Sequence, residues 1–128
     1  MDASAILEYL LRTERAGSIE SFVRLPDVDL QIPALCDVEV SAGLRRAMAR
    51  SVLSEVRAAQ AIDHYLDLPL TRHGHQILLR RILGLRENFS AYDAAYVALA
   101  EQIGGELLTA DDRLANAARA HTSIGILP

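Results

Sequence analysis

Four acidic residues have the type and placement a cation site needs: Asp2, Glu39, Asp93 and Asp111. Asp2 opens the chain in Met-Asp-Ala-Ser. Glu39 lies in Cys36-Asp37-Val38-Glu39-Val40, Asp93 in Ser90-Ala91-Tyr92-Asp93-Ala94-Ala95-Tyr96, and Asp111 follows Leu107-Leu108-Thr109-Ala110. Carboxylates on apolar helix faces and at strand ends are costly unless a positive charge sits among them. Oxygen-only donors suit Mg²⁺ or Mn²⁺ rather than Zn²⁺, which prefers nitrogen and sulfur. Three or four carboxylates can hold one or two such ions, and these acidify a water and neutralise charge on a phosphoryl oxygen. The chemistry expected of these residues is hydrolysis of a phosphodiester. The hydroxyls of Ser4 and Thr109 lie beside two of the acids and can hydrogen-bond a ligating carboxylate or a metal water. Asp112 is either an exposed neighbour or an outer partner of the site.

Each acid also has a plain structural reading. Asp2 can cap the first helix and Asp111 the last. Glu39 can pair with Arg45 or Arg46, and Asp93 can bond a tyrosine hydroxyl. Asp37, two residues before Glu39, should face away from it. All four acids serving structure alone is the weaker explanation of the set.

Short strands alternating with helices must position these groups. Apolar spacing predicts helices over residues 4–13, 18–25, 34–49, 52–65 and 76–83, then from Ser90 to Ile103 and from Asp111 or Asp112 to about Ala120. Strands are expected at Val28–Ile32, Leu66–Leu70, Glu106–Thr109 and Ser123–Leu127. That alternation implies α/β architecture with a mainly parallel sheet covered on both faces, and such sheets bind ligands at the carboxyl ends of their strands. Glu39 is four residues from Leu35, and Asp93 is three from Tyr96 and four from Val97, so both acids share an apolar helix face.

At 128 residues the chain fits one domain, 1–128, with an ordinary globular balance of 51% hydrophobic and 23% charged residues. Its single cysteine, Cys36, rules out an internal disulfide and a cysteine metal cluster. No run of some 18 apolar residues suggests a membrane span, and the expectation is a soluble cytoplasmic protein. The net charge of −4 is uneven. Residues 1–39 hold three Arg against eight acids, residues 40–86 eight Arg against three, and residues 87–128 two Arg against six. The basic middle is either a solvated helical face or a phosphate-binding surface, with Arg45, Arg46, Arg80 and Arg81 as candidate RNA contacts. Lysine is absent. His64, His73, His75 and His121 lack H-E-x-x-H spacing. No G-x-S-x-G elbow or phosphate-binding glycine loop occurs.

The opening Asp2-Ala-Ser-Ala-Ile-Leu, the central Tyr92-Asp93-Ala-Ala-Tyr96-Val-Ala-Leu-Ala-Glu101 and the Leu-Leu-Thr109-Ala-Asp111-Asp-Arg113-Leu run resemble PIN domains, and more closely the VapC toxins of bacterial toxin–antitoxin pairs. The resemblance covers nearly the whole chain. It implies a three-layer α/β/α sandwich with a short, mainly parallel central sheet. It also implies a Mg²⁺- or Mn²⁺-dependent endoribonuclease acting on tRNA or rRNA, a homodimer, and a VapB-like antitoxin as inhibitor. Asp2, Glu39 and Asp93 match the family's first three acids, Asp111 the fourth, and Ser4 and Thr109 the hydroxyl positions around them. The alternatives kept beside this are a PIN-like RNA- or antitoxin-binding module without turnover, and a structure-specific DNA nuclease. One departure from the pattern is that only Met1 precedes Asp2, where the family carries an apolar strand. A natural start several apolar residues upstream, or a misassigned start, is the expectation from that. The partner surface is expected on the helices around Ala34–Ala49 and Val52–Tyr65.

Overall fold

The computed structural model describes residues 1–127. The chain enters a helix at once. Asp2 is extended and its carboxylate accepts the Ala5 N–H, capping α1 (Ala3–Leu11), whose Ala3, Ala5, Ile6 and Leu10 are buried. After α2 (Ala16–Val23) come β1 (Leu30–Pro33), α3 (Leu35–Ala49), α4 (Glu55–Asp67) and β2 (Leu70–His73). A 3₁₀ turn at Gln76–Leu78 leads into α5 (Leu79–Gly84). Then follow α6 (Ala91–Ile103), β3 (Leu107–Leu108), α7 (Asp112–His121) and β4 (Ile126–Leu127).

Two expected strands are misplaced by the sequence patterns. The one expected at 66–70 lies at Leu70–His73, because α4 runs on to Asp67. Tyr65 on that last turn is buried, and the packing of its ring keeps the segment helical. The strand expected from Val28 begins only at Leu30, since the Val28 N–H is turned back onto the Leu25 carbonyl.

Among the described residues all pairing is parallel, in line with the mainly parallel arrangement expected. β1 pairs β2 with Leu30 opposite Leu70 and Pro33 opposite His73. β3 pairs β4 with Leu107 opposite Ile126. These are two separate two-stranded sheets, and the first two residues lie between them. The Met1 ammonium donates to the Gln31 carbonyl of β1 at 3.1 Å, and the Asp2 N–H donates to the Leu108 carbonyl of β3 at 2.9 Å. Beside this two-residue bridge, β1 and β3 flank an open apolar groove of about 330 Å³. Met1, Leu30, Leu99, Ile103 and Leu107 are among its lining residues.

α6 packs against both β1 and β3. Every residue from Ala94 to Ala100 is buried, so this helix is apolar on nearly all sides. Ser90 caps it through the Asp93 N–H, and Gly104 ends it with φ of 64°. α1 packs on α2, α3 and α4. Its approach to α3 is close at Gly43, where an added Cβ would collide with the Leu7 side chain.

Candidate metal centre

Asp2 is 4% exposed and is fixed on both carboxylate oxygens. Ser4 Oγ donates to Oδ1 at 2.7 Å and the Ala5 N–H to the same oxygen at 2.9 Å. Thr109 Oγ1 donates to Oδ2 at 2.6 Å. The two hydroxyls in turn accept backbone donors from the loop after β3: Ala110 N–H to Ser4 Oγ at 2.9 Å, and Asp111 N–H to Thr109 Oγ1 at 3.0 Å. Ser4 and Thr109 therefore hold Asp2 as expected, and they also tie α1 to the approach to α7. Burial raises the Asp2 pKa, against the lowering effect of its Thr109, Ala5 and Ser4 donors.

Glu39 comes from the middle of α3. Its carboxylate accepts the Tyr96 hydroxyl of α6 at 2.5 Å. Its pKa is raised, first by burial and then by the charges of Asp2 and Asp93, while the Tyr96 hydrogen bond and the Arg46 charge pull it down. Asp2, Glu39 and Asp93 thus stand close enough for two of them to act electrostatically on the third. Neither Arg45 nor Arg46 forms an ion pair with Glu39 among the described residues; Arg46 acts on it through charge alone.

Asp93, in the first turn of α6, has a side chain 16% exposed and accepts Arg113 Nη2 at 2.9 Å. The same nitrogen lies 3.7 Å from Asp111 Oδ2. Asp111 caps α7, its Oδ1 accepting the Arg113 and Leu114 N–H groups at 2.8 and 3.1 Å. The capping reading of Asp2 and of Asp111 is therefore correct.

Three neighbours fall elsewhere. Asp112 pairs with Arg15 through 2.8 and 3.1 Å contacts, which turns it toward the start of α2 rather than toward the other acids. Asp37 faces away from Glu39, as expected, and takes the Tyr65 hydroxyl at 2.7 Å and Arg72 Nε at 2.9 Å. Among the candidate RNA contacts, Arg81 is held by Glu101 through two hydrogen bonds of 2.6 and 2.8 Å, Arg45 lines a groove between α3 and α4, and Arg80 is exposed.

Two site residues escaped the sequence reading. Tyr96 had a signal, since it lies three residues from Asp93 on one helix face, but its hydroxyl serves Glu39 on another helix. Arg113 had none: an arginine in the first turn of a helix reads as solvated, and only the approach of α7 to α6 brings it to Asp93.

A hard divalent cation fits this donor set. The donors are all oxygens, and burial together with the like charges of Asp2 and Asp93 raises the Glu39 pKa, an imbalance a cation would relieve. Among the described residues, no three His, Cys, Asp or Glu stand at ligand spacing. Three of the acids have partners of their own: Asp111 its helix cap, Asp93 Arg113, and Glu39 Tyr96.

Residues 1–120 match the PIN domain family. The whole chain is 38% identical to the VapC ribonuclease Mb0985 of Mycobacterium bovis, covering 97% of that protein. It is 36% identical to ribonuclease VapC3 of Mycobacterium tuberculosis over 98% of this chain and 90% of the relative. It is also 36% identical to ribonuclease VapC12 of the same species, over 90% of this chain and 88% of the relative.

Proposed function

The chain belongs to the PIN domain family, and from that premise we propose that it is a divalent-metal-dependent endoribonuclease of the VapC type, restrained by an antitoxin protein. The observation that supports this reading is that Asp2, Glu39 and Asp93, from α1's cap, α3 and α6, are near enough for the charges of Asp2 and Asp93 to add to burial in raising the Glu39 carboxyl. Asp2, Glu39 and Asp93 would hold Mg²⁺ or Mn²⁺, with Asp111 joining or hydrogen-bonding the set. Bound there, the ion would supply an acidified water and neutralise charge on the phosphoryl oxygen.

The protein's own part is preorganisation. Thr109, Ser4 and the Ala5 N–H hold the Asp2 carboxylate with three donors, so its position costs nothing at the moment of reaction. Tyr96 orients Glu39. The scissile phosphate would lie over the cluster, with Arg46 as a cation already felt at Glu39. The RNA is proposed to be a folded one, tRNA or rRNA, and its backbone to run across the arginine-rich middle of the chain. Among the described residues no helix is long and apolar enough to cross a membrane, and action in the cytoplasm is proposed.

The antitoxin surface is proposed on α3 and α4. Val38, Val52 and Val56 around these helices are 71%, 75% and 68% exposed. A shallow, mostly apolar groove of about 270 Å³ runs between them, lined by Leu44, Met48, Ala58 and Ile62 among others. A second copy of the chain completes the proposed assembly.

The spacing of the acids favours one second reading, a module that binds RNA or antitoxin without turnover. A single experiment separates the two. The purified chain is incubated with unfractionated transfer RNA and ribosomal RNA, in Mn²⁺ or in EDTA, beside Asp93→Asn. Cleavage that needs Mn²⁺ and disappears in the variant is the expected result. RNA binding without cleavage in any condition would leave the second reading standing.

A further inference from the structure

Arg113 sits where a cation should. Its guanidinium leaves α7, donates to Asp93 Oδ2 on α6 at 2.9 Å, and lies 3.7 Å from Asp111 Oδ2. Two of the four candidate ligands therefore share one monovalent cation. Asp2 and Glu39 are satisfied differently, by the hydroxyls of Ser4, Thr109 and Tyr96. The contact is lopsided: the arginine side chain is 70% exposed, while that of Asp93 is 16% exposed. The guanidinium approaches the carboxylates from the solvent side.

We infer that Arg113 is an exchangeable counter-ion of the site, bridging Asp93 and Asp111 in the metal-free protein and passing to an RNA phosphate when a divalent ion takes those carboxylates. This rests on the metal-dependent reading above. An N–H donated into an Asp93 oxygen uses an acceptor position of that oxygen, so arginine and metal compete there. The competition is one the metal can win. A guanidinium so exposed loses little on leaving its carboxylate, because solvent screens the pair and its side chain regains freedom. Once displaced it stays tethered beside the cluster. A planar fork of donors matches phosphate oxygens, and the substrate phosphate must come to this same place.

A merely structural clamp between α6 and α7 makes the opposite prediction for metal. Removing a clamp loosens the ligands and weakens the ion, whereas removing a competitor tightens it. The test uses the full chain with Arg113→Gln, which keeps hydrogen-bonding capacity without charge, and Arg113→Lys, which keeps the charge without the fork. Mn²⁺ affinity is read in the absence of RNA from the electron paramagnetic resonance signal of free Mn²⁺. Affinity for unfractionated transfer RNA is read by fluorescence anisotropy at saturating Mn²⁺ and low temperature.

Arg113→Gln is expected to bind Mn²⁺ about two- to fivefold more tightly and transfer RNA about fivefold more weakly, with Arg113→Lys between it and the parent protein in both. Mn²⁺ affinity that is unchanged or weakened in Arg113→Gln overturns the inference, as does unchanged RNA affinity. Asp93→Asn is measured alongside. Mn²⁺ binding by the parent that is lost in Asp93→Asn means that the metal reading stands and only the role of Arg113 is being judged. No Mn²⁺ binding by the parent overturns both.

Discussion

Tyr96 contributes one hydroxyl to the site, and Glu39 depends on it. Among the described residues, that 2.5 Å hydrogen bond is the only one the Glu39 side chain accepts. Tyr96→Phe removes it without changing the packed ring. The variant should keep its fold and lose about tenfold in cleavage rate at subsaturating Mn²⁺, as measured by initial rates across a Mn²⁺ titration. Cys36, one turn before Glu39, is fully buried, and burial pushes its thiol up to about 11. The native protein should therefore resist thiol-reactive probes at pH 8 and react once unfolded. The same shift has a sign for stability. The unfolded thiol loses its proton near pH 9 and the folded one near 11. Its contribution is thus fully present below about pH 9 and fades as pH rises toward 11, by about 2–3 kcal/mol. Urea unfolding at pH 8 and at pH 11, compared with Cys36→Ala, checks it: the alkaline loss should shrink in the variant.

At the scale of the element, Asp111 has two separable jobs. As the cap of α7 it accepts two backbone N–H groups, a role worth about 1 kcal/mol. Asp111→Asn keeps an acceptor for the cap and loses the charge, while Asp111→Ala loses both. Thermal unfolding should separate alanine from asparagine, and Mn²⁺ affinity should not. The close crossing of α1 on α3 makes Gly43→Ala a packing test, with a loss of about 1–3 kcal/mol as Leu7 is forced aside. The ends of α6 were legible in the sequence because they are written locally, by Ser90 at one end and Gly104 at the other. β2 was not, because the local pattern around Pro69 reads as a strand from Leu66, while α4, with Tyr65 buried in its last turn, runs on to Asp67 and the strand starts at Leu70. The site divides the same way. The caps by Asp2 and Asp111, and the hydroxyls of Ser4 and Thr109 beside Asp2, were readable from spacing. Tyr96 on Glu39 and Arg113 on Asp93 were not, because each contact joins two helices whose meeting no local spacing encodes.

For the whole molecule, a ligand that binds only the folded state raises its stability by mass action, about 2.7 kcal/mol at one hundred times the dissociation constant. Mn²⁺ should raise the melting temperature of the parent chain and leave that of Asp93→Asn unmoved, as read by differential scanning fluorimetry. If RNA runs across the basic middle as proposed, that segment should set a second global property, the salt dependence of binding. Arg81 is engaged with Glu101, so Arg80→Gln should flatten the dependence of affinity on salt more than Arg81→Gln does.

The two half-sheets have a mechanical consequence. They are joined across their midline by two hydrogen bonds, from Met1 and Asp2, and the acids are distributed over both sides of that seam. Glu39 follows β1, Asp111 follows β3, and Asp2 stands in the join. An ion drawing these carboxylates inward would work as a clasp, pulling the halves toward each other. Mn²⁺ should then slow amide exchange on both sides of the seam, at Gln31 and at Leu108, more than in α4, which carries none of the four acids.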